Sequence, residues 1–191
     1  MNRRAISKMV KASGVSAGEI ILVHFWGEDA DKEIANDFVV SVAELGATPV
    51  LLQQSRKINR DLFRAAKESC FSAEYFDLFT KFDAVLDVFS YRPVVLGYEI
   101  EEEQFELYRK YMAQLFSKLM QCKRFTQIRV PTVANAEESG LDPMDYIQRM
   151  EKAYDIDYNA VYEDCKQAKE RYAGVDKVRL CTGKAVSLAL V

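Results

Sequence analysis

The chain has 191 residues, 49% of them hydrophobic, 29% charged and 12% aromatic, with 8 glycines and 4 prolines. That composition excludes a disordered, collagen-like or low-complexity chain and is ample for the core of one domain. With 26 Lys and Arg against 29 Asp and Glu the formal charge is −3. No bulk attraction to nucleic acid or to an acidic membrane surface follows, so neither is expected as a partner.

Ile6, Met9 and Val10 recur at helical spacing and predict a short first helix ended by Gly14, with Val15 to Glu19 as a turn. Ile20 to Trp26 (IILVHFW) is a continuous apolar run, the pattern of a strand covered on both faces in a parallel sheet. From Asp31 the period changes. Ile34, Phe38, Val42 and Leu45 predict a helix closed by Gly46, and Thr48 to Leu52 a second strand. Asn59 to Ser69 and Ser72 to Lys81 read as helices, and Ala84 to Phe89 (AVLDVF) as a third strand running into a Tyr91-Arg92-Pro93 loop.

Glu101 to Gln121 carries Phe105, Tyr108, Met112, Leu115 and Leu119 as one apolar stripe, with acids at its start and Lys118 near its end, as the helix dipole favours. Thr126 to Val130 is a fourth strand. Asp142-Pro143 opens a helix with Tyr146, Met150, Ala153 and Tyr154 on its apolar face. After Asp157, the residues Val161, Cys165, Ala168 and Tyr172 continue at helical spacing as far as Gly174, and Lys177 to Cys181 forms a fifth strand. This alternation predicts a three-layer α/β domain over residues 1–191, a mostly parallel sheet of about five strands with helices on both faces, flavodoxin- or Rossmann-like.

After the Thr182-Gly183-Lys184 turn, Ala185 to Val191 is an apolar, hairpin-like strand. An unpaired apolar edge invites aggregation. The strand is therefore expected to lead toward a missing domain, the chain being the N-terminal part of a longer two-domain protein; the alternative is a terminal strand tied into its own sheet.

Cys70, Cys122, Cys165 and Cys181 stand too far apart for a C-x-x-C motif and read as reduced thiols. The short run after Arg3 and Arg4 lacks a signal-peptide pattern, so the cytoplasm is the expected location. The dinucleotide, P-loop, zincin and hydrolase-elbow signatures are absent. Glu28, Asp29, Asp31 and Glu33 follow the first strand, where a phosphate would sit in a doubly wound fold, and their charge would repel one. They fail the calcium-loop pattern, with Ile34 and Val40 where glycine and glutamate belong, and read as acids capping the next helix. His24, the sole histidine, lies inside a strand and reads as a core imidazole rather than a catalytic base. No catalytic residue and no metal ligand is expected in this chain. Tyr91, Arg92, Tyr98, Tyr108 and Tyr111 form an aromatic and basic neighbourhood that either faces a ligand at the sheet's C-terminal edge or packs a helix onto a loop.

Gly14-Val15-Ser16-Ala17-Gly18-Glu19 leading into Ile20, the Glu44 to Val50 segment, and Arg124-Phe125 followed by Arg129-Val130-Pro131-Thr132, Ala136, Gly140-Leu141 and Tyr146 stand in a telling order. In that order the chain resembles, nearly end to end, the N-terminal domain of the thermophilic-type metallo-aminopeptidases, the aminopeptidase T and aminopeptidase S group that includes leucyl aminopeptidases. Lys177 to Leu180 and Ser187-Leu188 are similar to that family's late strand pair. Phe125 stands where tryptophan is usual, Leu141 where methionine is usual, and Ala185-Val186-Ser187 where a Thr-Asp pair is common.

The resemblance implies a non-catalytic half of a homodimeric enzyme that removes N-terminal residues from peptides. Two divalent metal ions, of the zinc or cobalt type, are expected in the missing catalytic domain and none in this chain. Arg129, Thr132 and Asn135 after the fourth strand, and Arg92 after the third, become the substrate-side candidates, since ligands sit at the C-terminal edge of such sheets. The alternative is a stand-alone flavodoxin-like module that binds a small ligand or a protein and has no peptidase activity.

Overall fold

Strand β1 (Ile20–Trp26) is buried at every residue after Ile20, which its unbroken apolar pattern requires of a central parallel strand. In the computed structural model, which describes residues 1–93, 99–182 and 186–190, β1 pairs in parallel with β2 (Thr48–Gln54), Ile20 opposite Thr48. On its other side it pairs with β3 (Ala84–Phe89), Ile21 opposite Ala84. Strand β4 (Arg124–Arg129) adds to β3, Ala84 opposite Arg124, so the parallel sheet has the order β2-β1-β3-β4. The order in which strands are added reverses across the sheet between β1 and β3.

Successive strand residues point to opposite faces, and each face has its own helical layer. Helix α1 (Arg3–Ala12) starts where the Asn2 side chain accepts from the Ala5 N–H, and buries Ala5, Ile6, Met9 and Val10. It packs on α2 (Lys32–Glu44), which lies along β1 and β2. Gly46 ends α2 at φ +80°, a left-handed conformation that disfavours any side chain, and the Ala17 side chain crowds the same spot. Over the opposite face lie α3 (Arg56–Ala65), α4 (Ala73–Asp77) and α5 (Glu102–Leu119), with Ser55 and Ser72 capping the first two. Their Phe63, Phe76, Tyr108, Tyr111, Leu115 and Leu119 close over Leu22 and Val85 of the sheet. Each such fully buried side chain contributes about 1.5–3 kcal/mol. The acids Glu102 and Glu103 lie in the first turn of α5 and Lys118 in its last, as its dipole requires.

Helix α6 (Val133–Glu138) follows β4 directly, and α7 (Pro143–Tyr154) begins at the cap in which Asp142 accepts from the Asp145 N–H. These elements complete one unit, Met1–Ile156; a second spans Asp157–Val191. The second unit holds α8 (Tyr158–Arg171), started by Asp157, and the antiparallel pair β5 (Val178–Thr182) and β6 (Val186–Leu190), with Val178 opposite Leu190.

The expected fifth strand thus forms, but in this hairpin rather than in the parallel sheet, which has four strands. The three residues between β5 and β6 allow only antiparallel pairing, since a parallel neighbour needs a crossover of a dozen or more residues. Gly183, Lys184, Ala185 and Val191 of the expected turn and final strand lie outside the described residues, as does Tyr98. Among the described residues no helix is long and apolar enough to cross a membrane.

Candidate functional site

At the C-terminal edge of the parallel sheet, the loop after β1 and the loop after β3 meet above the reversal point, where open α/β sheets bind ligands. Gly27 opens the first loop, and a Cβ there would stand 2.4 Å from the Phe25 ring and 3.2 Å from Ser90 Oγ. Only glycine fits between those groups. Ser90 is buried, and among the described residues its hydroxyl has no hydrogen-bond partner.

The next residue, Glu28, does not cap α2, contrary to the reading of the acidic run: neither it nor Asp31 makes a side-chain cap hydrogen bond. Glu28 turns instead toward the N-terminus of α3, where Oε1 accepts from the Arg56 N–H at 3.0 Å and from the Tyr91 hydroxyl at 2.9 Å. The free N–H groups of a helix start attract an anion. Here the chain's own carboxylate is that anion. Burial raises the Tyr91 hydroxyl above the ordinary tyrosine range, and Glu28 adds to the shift, so Tyr91 keeps its proton and donates it to Glu28. The Arg56 guanidinium stacks 4.2 Å above the Tyr91 ring, donates to the Arg92 carbonyl at 2.9 Å and pairs with Glu138 of α6. The Arg92 N–H donates to the same Glu138 carboxylate at 2.6 Å. Glu28, Arg56, Tyr91 and Glu138 thereby tie the loops after β1, β2 and β3 to α6. Asp31, on the same side of the sheet, is raised by burial, with Glu28 a smaller cause.

The four substrate-side candidates all lie on this edge and divide into two pairs. Thr132 caps α6, accepting from the Asn135 N–H at 3.1 Å while its hydroxyl donates to the Ser90 carbonyl. Asn135 is buried and its amide donates to the Phe89 carbonyl at 3.0 Å and the Val130 carbonyl at 2.8 Å, which fixes the turn after β4. Arg92 and Arg129 are exposed, and among the described residues neither guanidinium has an ion-pair partner. The Arg129 carbonyl accepts from the Tyr154 hydroxyl at 2.8 Å, which anchors the end of β4 to α7.

Of the described members of the aromatic and basic neighbourhood read from the sequence, Tyr91 and Arg92 are found at this edge. Tyr108 and Tyr111 belong to the core beneath α5, Tyr111 with its hydroxyl 3.1 Å from that of Tyr75.

A second polar cluster lies inside the sheet. His24, Asp87 and Gln127 stand in register across β1, β3 and β4. Asp87 and His24 are both fully buried. Asp87 accepts from Trp26 Nε1 at 3.1 Å and from the Gln127 amide at 3.1 Å, and His24 Nδ1 stands 3.0 Å away, off the line of a well-formed hydrogen bond. The Asn59 amide donates to Gln54 Oε1 at 3.2 Å, so Gln54 turns its own amide toward His24 Nε2 at 2.8 Å. That assigns Nε2 as acceptor and leaves the ring proton on Nδ1, facing Asp87. The His24 and Trp26 rings pack against Phe116 of α5. His24 is the core imidazole expected of it. Asp87 could have been singled out from its sequence context, a carboxylate within AVLDVF, which an apolar strand tolerates only with partners.

Neither cluster contains a nucleophile placed against a base. Among the described residues no group of three or more His, Cys, Asp or Glu could hold a metal ion. Among the described residues this edge presents two cations, Arg92 and Arg129, beside the frame of Glu28, Arg56, Tyr91 and Glu138.

No protein-family model matches the chain, and no curated protein matches it. Among solved structures, wild-type AmpT from Thermus thermophilus, an aminopeptidase T, superposes with a TM-score of 0.62 at 15% sequence identity. The match covers 90% of this chain and 48% of that one, so the chain spans about half the length of the structure it resembles. At this identity the likeness shows the fold: an α/β domain with a parallel sheet flanked by helices.

Proposed function

We propose that this chain is the N-terminal, non-catalytic domain of a metal-dependent aminopeptidase, which helps to enclose the active site and to assemble the enzyme. The fold likeness to AmpT carries this reading, because it extends over 90% of this chain and less than half of that one. The motif order from Gly14 to Tyr146 supports it from the sequence side. The residues described here do not suit a metal. In this reading the two divalent ions, of the zinc or cobalt type, are held by a following catalytic domain, and no chemical step passes through this chain.

The contribution of this domain is a wall. Arg92 and Arg129, unpaired among the described residues, offer positive charge where a peptide's carboxylate end or an acidic side chain would be received, while Thr132 and Asn135 hold the turn after β4. The enzyme would act in the cytoplasm as a homodimer. A small-ligand module of the flavodoxin kind is less favoured, since Glu28 already fills the anion position at the reversal point.

The test is hydrolysis of leucine anilide and of short peptides by the protein encoded by the full reading frame, with and without added zinc or cobalt. Metal-dependent cleavage by that protein, and none by residues 1–191, is expected. Arg92→Ala and Arg129→Ala should each raise KM for peptides about tenfold and leave kcat within twofold. No metal-dependent cleavage by the full protein would overturn the reading.

A further inference from the structure

His24, Gln54 and Asn59 form a buried file of hydrogen bonds that leads from the middle of the sheet to the first turn of α3. His24 is 0% exposed, and Gln54 and Asn59 are 3% exposed each. Every member of the file can act in two ways. A side-chain amide has a donor at one end and an acceptor at the other, and an imidazole nitrogen changes from acceptor to donor when it takes a proton. As the file stands, the Asn59 amide donates to Gln54 Oε1 at 3.2 Å and the Gln54 amide donates to His24 Nε2 at 2.8 Å, so both bonds run toward the ring.

That direction can be reversed in place. A proton on Nε2 would set its N–H against the Gln54 NH2 group, two donors head to head at a buried position, which is costly. A half-turn of the Gln54 amide brings Oε1 to the ring and its NH2 to Asn59, and a half-turn of the Asn59 amide offers Oδ1 to that NH2. Amide oxygen and nitrogen exchange places with little change of shape, so the same packing holds both arrangements. The other side of the ring favours the proton. The contacts around His24 come from Asp87 on β3, Gln54 on β2, Trp26 on its own strand and Phe116 on α5, with Gln127 of β4 behind Asp87; of these, Asp87 alone carries charge. Its oxygens face three N–H groups, from Trp26, Gln127 and His24 Nδ1, the surroundings of an ionised carboxylate. A buried charge without a counter-charge is costly, and a proton on His24 makes the pair neutral overall.

We propose that His24, Gln54 and Asn59 are a proton-operated switch: uptake of one proton at His24 Nε2 turns both amides over, and the file that runs from Asn59 to His24 then runs from His24 to Asn59. The proton comes from solvent and forms the Nε2–H bond; no other covalent bond changes, since Nδ1 keeps the hydrogen that faces Asp87. Asn59 lies one turn along α3 from Arg56, whose N–H is held by Glu28 and Tyr91. The reversal is therefore carried from the sheet interior to the helix that borders the sheet's C-terminal edge. Nothing in this switch depends on the aminopeptidase reading, and a failed peptidase assay leaves it standing.

The experiment is an NMR titration of the isotope-labelled 191-residue chain from about pH 8 to about pH 5, following the two imidazole nitrogens of His24 and the side-chain amides of Gln54 and Asn59. At the alkaline end Nδ1 should carry the ring proton and Nε2 none. On acidification Nε2 should become protonated, and the Gln54 and Asn59 amide signals should shift with the same midpoint. Gln54→Glu supplies a carboxylate that accepts from Nε2–H without turning, and should raise the midpoint by at least about one pH unit, a tenfold gain in proton affinity. Gln54→Met cuts the file, so His24 should still titrate while the Asn59 response is lost, a separation that general loosening of the fold would not give. The native chain decides without either variant. A His24 that stays neutral until the chain unfolds in acid overturns the proposal. So does a proton on Nε2 at the alkaline end, or protonation of His24 with no response at Gln54 and Asn59.

Discussion

Helices α5 and α8 carry the same kind of pattern and end in opposite states. Both are amphipathic, both place basic residues in the last turn, and both show apolar residues every three or four positions. In α5, Tyr108, Tyr111, Leu115 and Leu119 are buried against the sheet and its neighbouring helices; in α8 nothing is buried. The difference does not lie in the period. It lies in the size and continuity of the stripe: α5 brings two large aromatic rings and two leucines to a surface already lined by Phe63 and Phe76, whereas the α8 seam narrows to Cys165 and Ala168. A periodic stripe declares that a helix has an apolar face and leaves open what lies against it.

The contrast can be broken most directly at the two stripes. Leu115→Ala in α5 should destabilise the chain by about 3 kcal/mol, the cost of a cavity in a closed core. Val161→Ala in α8 should change the stability of dilute protein by less than about 0.5 kcal/mol. Urea denaturation of both variants decides, and equal losses would erase the distinction. The interior of the Met1–Ile156 unit is sharpened next by Asp87→Asn, which keeps the shape but replaces one of the two carboxylate oxygens that accept from Trp26 and Gln127 beside His24. A loss of about 2 kcal/mol is expected in the same assay.

Nearer the surface, Tyr91→Phe deletes the hydroxyl that joins Glu28 to the start of α3, for about 1 kcal/mol. Faster amide exchange should then follow at the first turn of α3, while the amides of β1 stay protected. The smallest effect belongs to Glu19, whose carboxyl is held below the usual range first by its hydrogen bond from Arg124 and then by the Ser16 N–H. A carboxyl lowered on folding adds stability above its unfolded value, about pH 4.3, and loses it as pH falls through its folded value. Glu19→Gln should therefore melt below the native chain at pH 7, and the two melting curves should converge as the pH falls through the folded value of the Glu19 carboxyl. A gap that persists at low pH would assign the loss to packing rather than to charge.

How far the sequence could be read depended on the range of the interactions involved. The order of elements, strand positions from Ile20, Thr48 and Ala84, the helical stripe from Phe105 to Leu119 and the burial of His24 all follow from local period and propensity, because burial on one face or two leaves its mark within ten or twenty residues. Strand Val178–Thr182 and its hairpin-like successor were both legible from the short turn between them, but the count of about five strands in the parallel sheet was not, since the pattern of a strand does not name the sheet it joins. Glu28 looked like a helix cap by its position in an acidic run; its actual partners, the Arg56 N–H and Tyr91, are 28 and 63 residues away. Tyr91 and Tyr108 looked like one neighbourhood and belong to two.

The sequence by itself determined an α/β chain with its apolar faces and helix caps in place, because these depend on residues close along the chain. The tertiary structure alone decided the order β2-β1-β3-β4, the row His24-Asp87-Gln127 and the carboxylate at the start of α3. Each of those depends on residues that become neighbours only when distant strands pair, and the free energy of that pairing belongs to the whole sheet rather than to any one segment of it.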